Sequence, residues 1–345
     1  MRARALILGG AALLFLFVVL SRLGQAEELG TTLRRGHLGW ITVALVLQAA
    51  TLWNQVALYQ TLYALLKLPA RWRELAPLVW TGHFLNAATP SAGLGGTALL
   101  IDDARRRGWP LAKVSLANAL YFLFNFVVFA FVLAAGLGFL LAWNQLKPSE
   151  LVAAGTLLGG LMVAGLGLLL LAWRPALFGH WAARFARGLN RLTRRTLLAP
   201  DQISEGLAEF SQTLRALQEA RGALWRPLLH ALLVDGLEIA VLGACCAAFP
   251  GAGREVTLPL LIVGYAIGTL FVIVSVTPQG LGVVEGVMTA MFCSLGVPLQ
   301  RAAVVVLAYR GLSFWLPLLT GFVALRWTPR LQGLPRTRVK THDSL

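Results

Sequence analysis

Val276-Thr277-Pro278-Gln279-Gly280-Leu281-Gly282-Val283-Val284-Glu285-Gly286 interrupts one of the most apolar parts of the chain. It lies between LPLLIVGYAIGTLFVIVS (258–275) and VMTAMFCSLG (287–296). Proline removes a backbone donor and glycine loosens the backbone, so no regular helix is expected to run through the stretch. A carboxylate, Glu285, follows at once. Helix-breakers and a charge amid such neighbours need a reason, because irregular backbone survives at membrane depth only inside protein or beside water.

The rest of the chain says that a membrane is the solvent. Hydrophobic residues make up 57% and charged residues 13% of the sequence, against roughly 25% charged in an ordinary soluble domain. Mean hydropathy is +0.71. Ile41–Leu66, Leu116–Trp143, Leu151–Trp173 and Ala302–Leu325 each approach or exceed the roughly 20 apolar residues that cross a bilayer. The N-terminal apolar run from Ala5 to Leu20 follows a basic start, but a small-x-small cleavage site is poorly formed, so an uncleaved first helix is expected rather than a signal peptide.

A net charge of +15 could suggest nucleic acid, yet the basic residues sit in short loops between apolar spans. There they set orientation and meet anionic headgroups. No nucleic-acid partner is expected. Cys245, Cys246 and Cys293 have no metal-ligand spacing and read as buried free thiols. No cofactor, metal motif or soluble-enzyme signature is found, and the sequence reading expects no enzyme.

Charge counting yields a topology. The N-terminus, Lys67–Arg73, Asp102–Lys113, Arg174–Arg226 and the C-terminal tail, placed on one side, hold 23 of the 30 Lys and Arg residues. Arg22, Arg34, Arg35, Lys147, Arg254 and Arg301 fall opposite, and Arg310 lies within a span. The bias predicts cytoplasmic N- and C-termini in a cell (inner or plasma) membrane. It requires Leu75–Arg105 and Thr257–Pro298 each to leave and re-enter one side. Each contains a breaker, TPSAGLGG (89–96) or TPQGLG (277–282). The arms of the second are long enough that two full spans remain an alternative there.

The two breakers are related. A shift of 188 residues (277 − 89) sets Thr89-Pro90 on Thr277-Pro278, Gly108 on Gly296, Pro110-Leu111 on Pro298-Leu299, Lys113 on Arg301 and Tyr121 on Tyr309. Gly93-Leu94-Gly95 meets Gly280-Leu281-Gly282 after a one-residue slip. The topology puts Gly108 inside and Gly296 outside, so the halves are expected to be inverted, as in many secondary transporters. The predicted fold is an all-α polytopic membrane protein: about six full transmembrane helices plus two helix-breaking, re-entrant hairpins in inverted repeats. A single membrane domain covers 1–326, with repeats at about 38–143 and 226–326. A cytosolic amphipathic segment at 176–225, with an ordinary basic loop as the alternative, and a basic tail at 327–345 complete the chain.

Charges inside a bilayer cost at least about 2.5 kcal/mol each on insertion scales, which singles out Asp235, Glu238, Glu285 and Arg310. Asp235 and Glu238 share one helical face. Two readings are open. Arg310 and a carboxylate could form an internal ion pair, with Glu285 stabilised by its own helix terminus. Alternatively, glycine N–H groups and Arg310 bind a phosphate while the carboxylates face an amine or couple protons. Softer polar stripes, Gln48/Thr51/Gln55 and Asn118/Tyr121/Asn125, fit either a pathway or interhelical hydrogen bonding. His83 and Asn86 precede the first breaker; a satisfied buried histidine is favoured over a proton relay at His83.

NAATPSAGLGG (86–96) with DDARRRG (102–108), and TPQGLGVVEG (277–286) with AYRGLSFWLPLLTG (308–321), resemble the lysylphosphatidylglycerol synthase transmembrane-region family. The resemblance runs from Leu6 to Arg326 and is most specific at Pro278-x-Gly280-x-Gly282-x-x-Glu285 and Tyr309-Arg310. In that family a soluble domain makes lysyl- or alanyl-phosphatidylglycerol and the membrane domain moves it outward. Only 19 residues follow Arg326, so no synthase domain is expected. An acidic residue common after the family's first glycine motif is replaced here by Thr97.

The resemblance implies an integral membrane, flippase-like protein. It would bind and translocate phospholipid headgroups, anionic or aminoacylated; the intramembrane charges and the family motifs together nominate Pro278, Gly280, Gly282, Glu285, Arg310, Asp235, Glu238, Asn86, Pro90, Gly93 and Gly95 as the binding residues. An ion-coupled small-solute transporter, a membrane enzyme acting on lipid carriers, or a non-transporting partner of a separately encoded lipid-modifying enzyme are the alternatives.

Overall fold

The computed structural model describes residues 36–88, 94–143, 221–251, 255–275 and 277–327, with six isolated positions between 152 and 184. The expected first helix, the span Leu151–Trp173, most of the segment 176–225, Pro90, Gly93 and the tail beyond Trp327 lie outside these residues. The described elements are all helical. They are α1 (Leu38–Leu65), α2 (Trp72–Ala88), α3 (Leu94–Arg106), α4 (Leu111–Ala142), α5 (Trp225–Ala248), α6 (Leu258–Val274), α7 (Val283–Ser294), α8 (Leu299–Arg310) and α9 (Leu316–Trp327). A five-residue π-helical turn, Gly311–Trp315, joins α8 to α9.

Among the described residues, four helices are long and apolar enough to cross a membrane: α1, α4, α5 and the α8–α9 unit. Between them lie helix pairs, α2 with α3 and α6 with α7. Long, short, short, long thus occurs twice in chain order, and α2 and α6 have 17 residues each.

The helix ends follow from local chemistry. α1, α3 and α7 each close on a left-handed residue, Lys67 (φ 55°), Gly108 (φ 67°) or Gly296 (φ 90°). In each case a proline follows two residues later: Pro69, Pro110 or Pro298. Trp109 N–H donates to the Ala104 carbonyl and Val297 N–H to that of Phe292, each 2.9–3.0 Å away, which caps the preceding helix. Those two caps occupy equivalent positions under the 188-residue shift. The π turn has its own cause. Pro317 lacks an N–H and its ring would press on the Ser313 carbonyl, so the turn widens and Leu316 N–H reaches back to Gly311.

Each short pair is antiparallel. Glu74, near the start of α2, pairs with Arg107, just past the end of α3, while Gly82 packs on Gly96. Gly264 lies against Phe292 and Gly268 against Met288 in the second pair, so close that a Cβ on either glycine would collide. Long helices α1 and α5 also run antiparallel. His37 N–H donates to the Ala248 carbonyl (2.8 Å), Gln48 meets Glu238, and Asn54 meets His230, one number rising as the other falls.

Two further large contacts exchange the halves: α2 packs on α9, and α6 packs on α4. Glycine permits both crossings. A Cβ on Gly136 would come within 2.9 Å of the Ala266 Cβ, and one on Gly321 would overlap the Trp80 carbonyl. Buried apolar residues form two clusters stacked along the bundle. One gathers Leu68, Leu75, Ala104, Leu116 and Ala231, with Trp109, Leu224 and Leu325 against it. It therefore brings the loops carrying Lys67–Arg73, Arg105–Lys113 and Arg221–Arg226 to one end.

Candidate functional site

The second breaker folds as a tight, left-handed loop. Gln279, Gly280 and Gly282 have φ of 52°, 69° and 81°. Gly280 is needed twice over, since a Cβ there would also overlap the Val284 side chain. Glu285 is the third residue of α7. Its Oε2 accepts the Gly282 N–H (2.7 Å), which satisfies a helix-terminal donor and sets a negative charge at the positive end of α7.

The other carboxylate oxygen holds Arg310. Arg310 Nε donates to Glu285 Oε1 (2.8 Å) and Nη2 donates to the Gln279 carbonyl (2.9 Å), while the guanidinium lies 5.1 Å from the Phe314 ring centre. Both partners are largely buried, at 7% and 12% side-chain exposure. The internal pair of the sequence reading is therefore the arrangement present. The charge follows the breaker because it clasps the loop to α8. Among the described residues two of the five guanidinium N–H donors are used.

On the facing helix, Glu238 accepts from Gln48 Nε2 and from the Tyr309 hydroxyl, both at 3.1 Å. Asp235, one turn earlier, accepts from the Tyr265 hydroxyl at 2.7 Å. A cavity of about 270 Å3 opens where the two helix pairs converge, walled by Gln48, Gln55, His83, Glu238, Tyr309 and Arg310, with Tyr265 and Gln279 beside them. Gln48 Oε1, Gln55 Oε1 and His83 Nε2 are buried and have no hydrogen-bond partner among the described residues. A buried polar atom without a partner costs about 1–3 kcal/mol, so such atoms on a cavity wall mark a place for a polar guest.

Residues 4–321 match the family described as the lysylphosphatidylglycerol synthase TM region. The chain belongs to that family. It is 28% identical over 261 residues, 70% of this chain and 73% of the relative, to a UPF0104 membrane protein of Pyrococcus horikoshii. A UPF0104 membrane protein of Methanothermobacter thermautotrophicus is 22% identical over 331 residues, 93% of each chain. The family and the four apolar helices make this a membrane protein.

The sequence reading had singled out eleven positions, and the structure gathers some of them. Pro278 and Gly280 bound the 3-10 turn, Gly282 caps α7, and Glu285, Arg310 and Glu238 stand around or beside the cavity. Asp235 lies one turn away, outside the wall. Asn86 is used internally: its Oδ1 accepts the Gly96 N–H (2.7 Å) and ties α2 to α3. Gly95 lies within α3, so the described helix already includes Leu94, Gly95 and Gly96 of the motif. Pro90 and Gly93 lie outside the described residues.

His83 is not the satisfied histidine that the sequence reading favoured, since Nε2 stands unpaired on the wall. The stripe on α4 serves packing: Asn118 bonds the Val114 carbonyl and receives the Tyr59 hydroxyl, and Asn125 bonds the Tyr121 carbonyl. Cys245 and Cys246 are buried and free. Tyr265 and the π turn carry roles that the sequence reading missed; a tyrosine in an otherwise apolar arm and a proline seven residues after a buried arginine were the available signals.

Proposed function

We propose that the protein is a lipid carrier, which draws a phospholipid headgroup into the cavity between two inverted, re-entrant hairpins and passes it across the membrane. One observation carries the reading: where the second chain break meets the C-terminal half of α2, a buried cavity is walled by a carboxylate and a guanidinium. The Arg310 N–H donors without a partner among the described residues suit a phosphate, and Glu238 with the Gln48 and Gln55 oxygens suits an ammonium. An amine-bearing headgroup satisfies both. About 270 Å3 holds a headgroup but not two acyl chains, so the tails travel in the bilayer.

Inversion is supported by the antiparallel α1–α5 pair and the matched helix caps at Gly108 and Gly296. Re-entry is supported by length, since the 12 residues of α7 rise only about 18 Å against the roughly 30 Å of hydrocarbon. With the basic loops inward, both termini are cytoplasmic. The lipid changes sides without a bond breaking, so the protein acts as a carrier and not an enzyme. An aminoacylated lipid would come from a separately encoded lipid-modifying enzyme.

The test is lipid movement in proteoliposomes with labelled phosphatidylglycerol and its lysyl and alanyl forms. Wild-type protein is expected to move the amine-bearing forms, and Glu238→Gln to slow them at least tenfold. If folded protein moves no lipid under any imposed ion gradient, the reading fails in favour of a small-solute carrier or a non-transporting partner.

A further inference from the structure

We infer that Glu238, with the Gln48 amide oxygen, holds an exchangeable monovalent cation, a proton or an alkali ion, that leaves as the substrate's ammonium arrives. The inference rests on the carrier reading only for what displaces the cation. Its first support is a charge imbalance. Arg310 is committed to Glu285. Among the described residues Glu238 receives only neutral donors, Gln48 Nε2 and the Tyr309 hydroxyl, and no ion pair reaches it. Asp235 is 5% exposed, receives only the Tyr265 hydroxyl, and its Oδ2 has no partner among the described residues. Two carboxyls at membrane depth with no counter-charge cannot both stay ionised and unpaired. A positive charge belongs there.

The second support is the amide beside the acid. Gln48 is 1% exposed, and it turns Nε2 toward Glu238, the orientation that an ionised carboxylate requires because it only accepts. Its Oε1 is thereby left unpartnered on the cavity wall, as is that of Gln55 from the next turns of α1. Carboxylate and amide oxygens are the ligands of a hard cation. No group of three His, Cys, Asp or Glu able to hold a metal occurs among the described residues, which favours one positive charge over two.

The other titratable groups around Glu238 leave its charge unbalanced. Its own helix brings Asp235 and Cys245; α6 brings Tyr265, α2 His83, and α8 Tyr309 and Arg310. α1 brings neutral amides to the cavity, and α4 brings no titratable side chain to it. Exchange of one cation for one ammonium conserves charge at the carboxylate, so an ion gradient could drive the lipid.

Infrared difference spectroscopy on purified protein in nanodiscs tests this without lipid movement. Spectra are taken across a pH series in Na+, K+ or choline. Wild-type protein is expected to show a protonated-carboxyl band that disappears as pH rises, and that Glu238→Gln lacks. If the band disappears at lower pH in Na+ or K+ than in choline, an alkali ion competes; if the three salts agree, the proton is the ion. Gln48→Leu keeps the acid and is expected to shift the transition, at least tenfold in ion concentration for an alkali ion. A Glu238 signal that changes with neither pH nor salt overturns the inference. Cation exchange without lipid movement in the proteoliposomes would instead leave a cation-coupled carrier of another solute.

Discussion

Arg310 and Glu285 are each poised to fail without the other. Both are nearly buried, and each satisfies a second partner in the breaker loop, the Gln279 carbonyl or the Gly282 N–H. Removing one member of a buried pair strands the other, at a cost of about 3–5 kcal/mol. Arg310→Ala and Glu285→Ala are each expected to lower the thermal unfolding midpoint in detergent strongly. The double variant should cost clearly less than the sum, because the second change removes a charge already stranded. Glu285→Gln, which still accepts from Gly282, should be milder. Purely additive losses would mean that the clasp does not couple the two. Both charges could be picked out in the sequence as costly in lipid. Their pairing could not, because 25 residues and a reversal of the chain separate them.

At the scale of elements, glycines set how closely helices approach. Gly321 lies against the Trp80 backbone, whereas Gly138, also within a helix, has open space around its missing Cβ. Gly321→Ala is expected to push α9 off α2 and destabilise by about 1–3 kcal/mol. Gly138→Ala should be neutral or stabilising by up to about 1 kcal/mol, through helix propensity alone. Matched unfolding curves of the two variants provide the check, and equal effects would count against the close crossing. The second breaker was legible because Pro and Gly act on their own backbone. That Leu94 and Gly95, within the first motif, are helical was not, since the Asn86 oxygen that accepts the Gly96 N–H comes from the neighbouring helix.

For the whole molecule, the repeat and the charge bias make one joint prediction. Single cysteines at Gly108 and Gly251, in a background lacking the native three, should react with impermeant reagents from opposite sides of the membrane. Gly108 belongs to the end that gathers Lys67–Arg73 and Arg105–Lys113, and should be reached only from the cytoplasm. Labelling of both from one side would refute the inverted arrangement.

Sequence alone determined the solvent, the helical class and the break at Thr277–Gly282, because each follows from local hydropathy or backbone chemistry, and its self-similarity pointed to an internal repeat. It also named the four charges that needed explaining. Only the tertiary structure decided how they are spent: Arg310 on Glu285, Asp235 on Tyr265, and Glu238 on two neutral donors beside a cavity. The reason is geometric. Each of these contacts joins helices far apart in the chain, and a side chain's partner is set by where packing brings those helices, which no local pattern records.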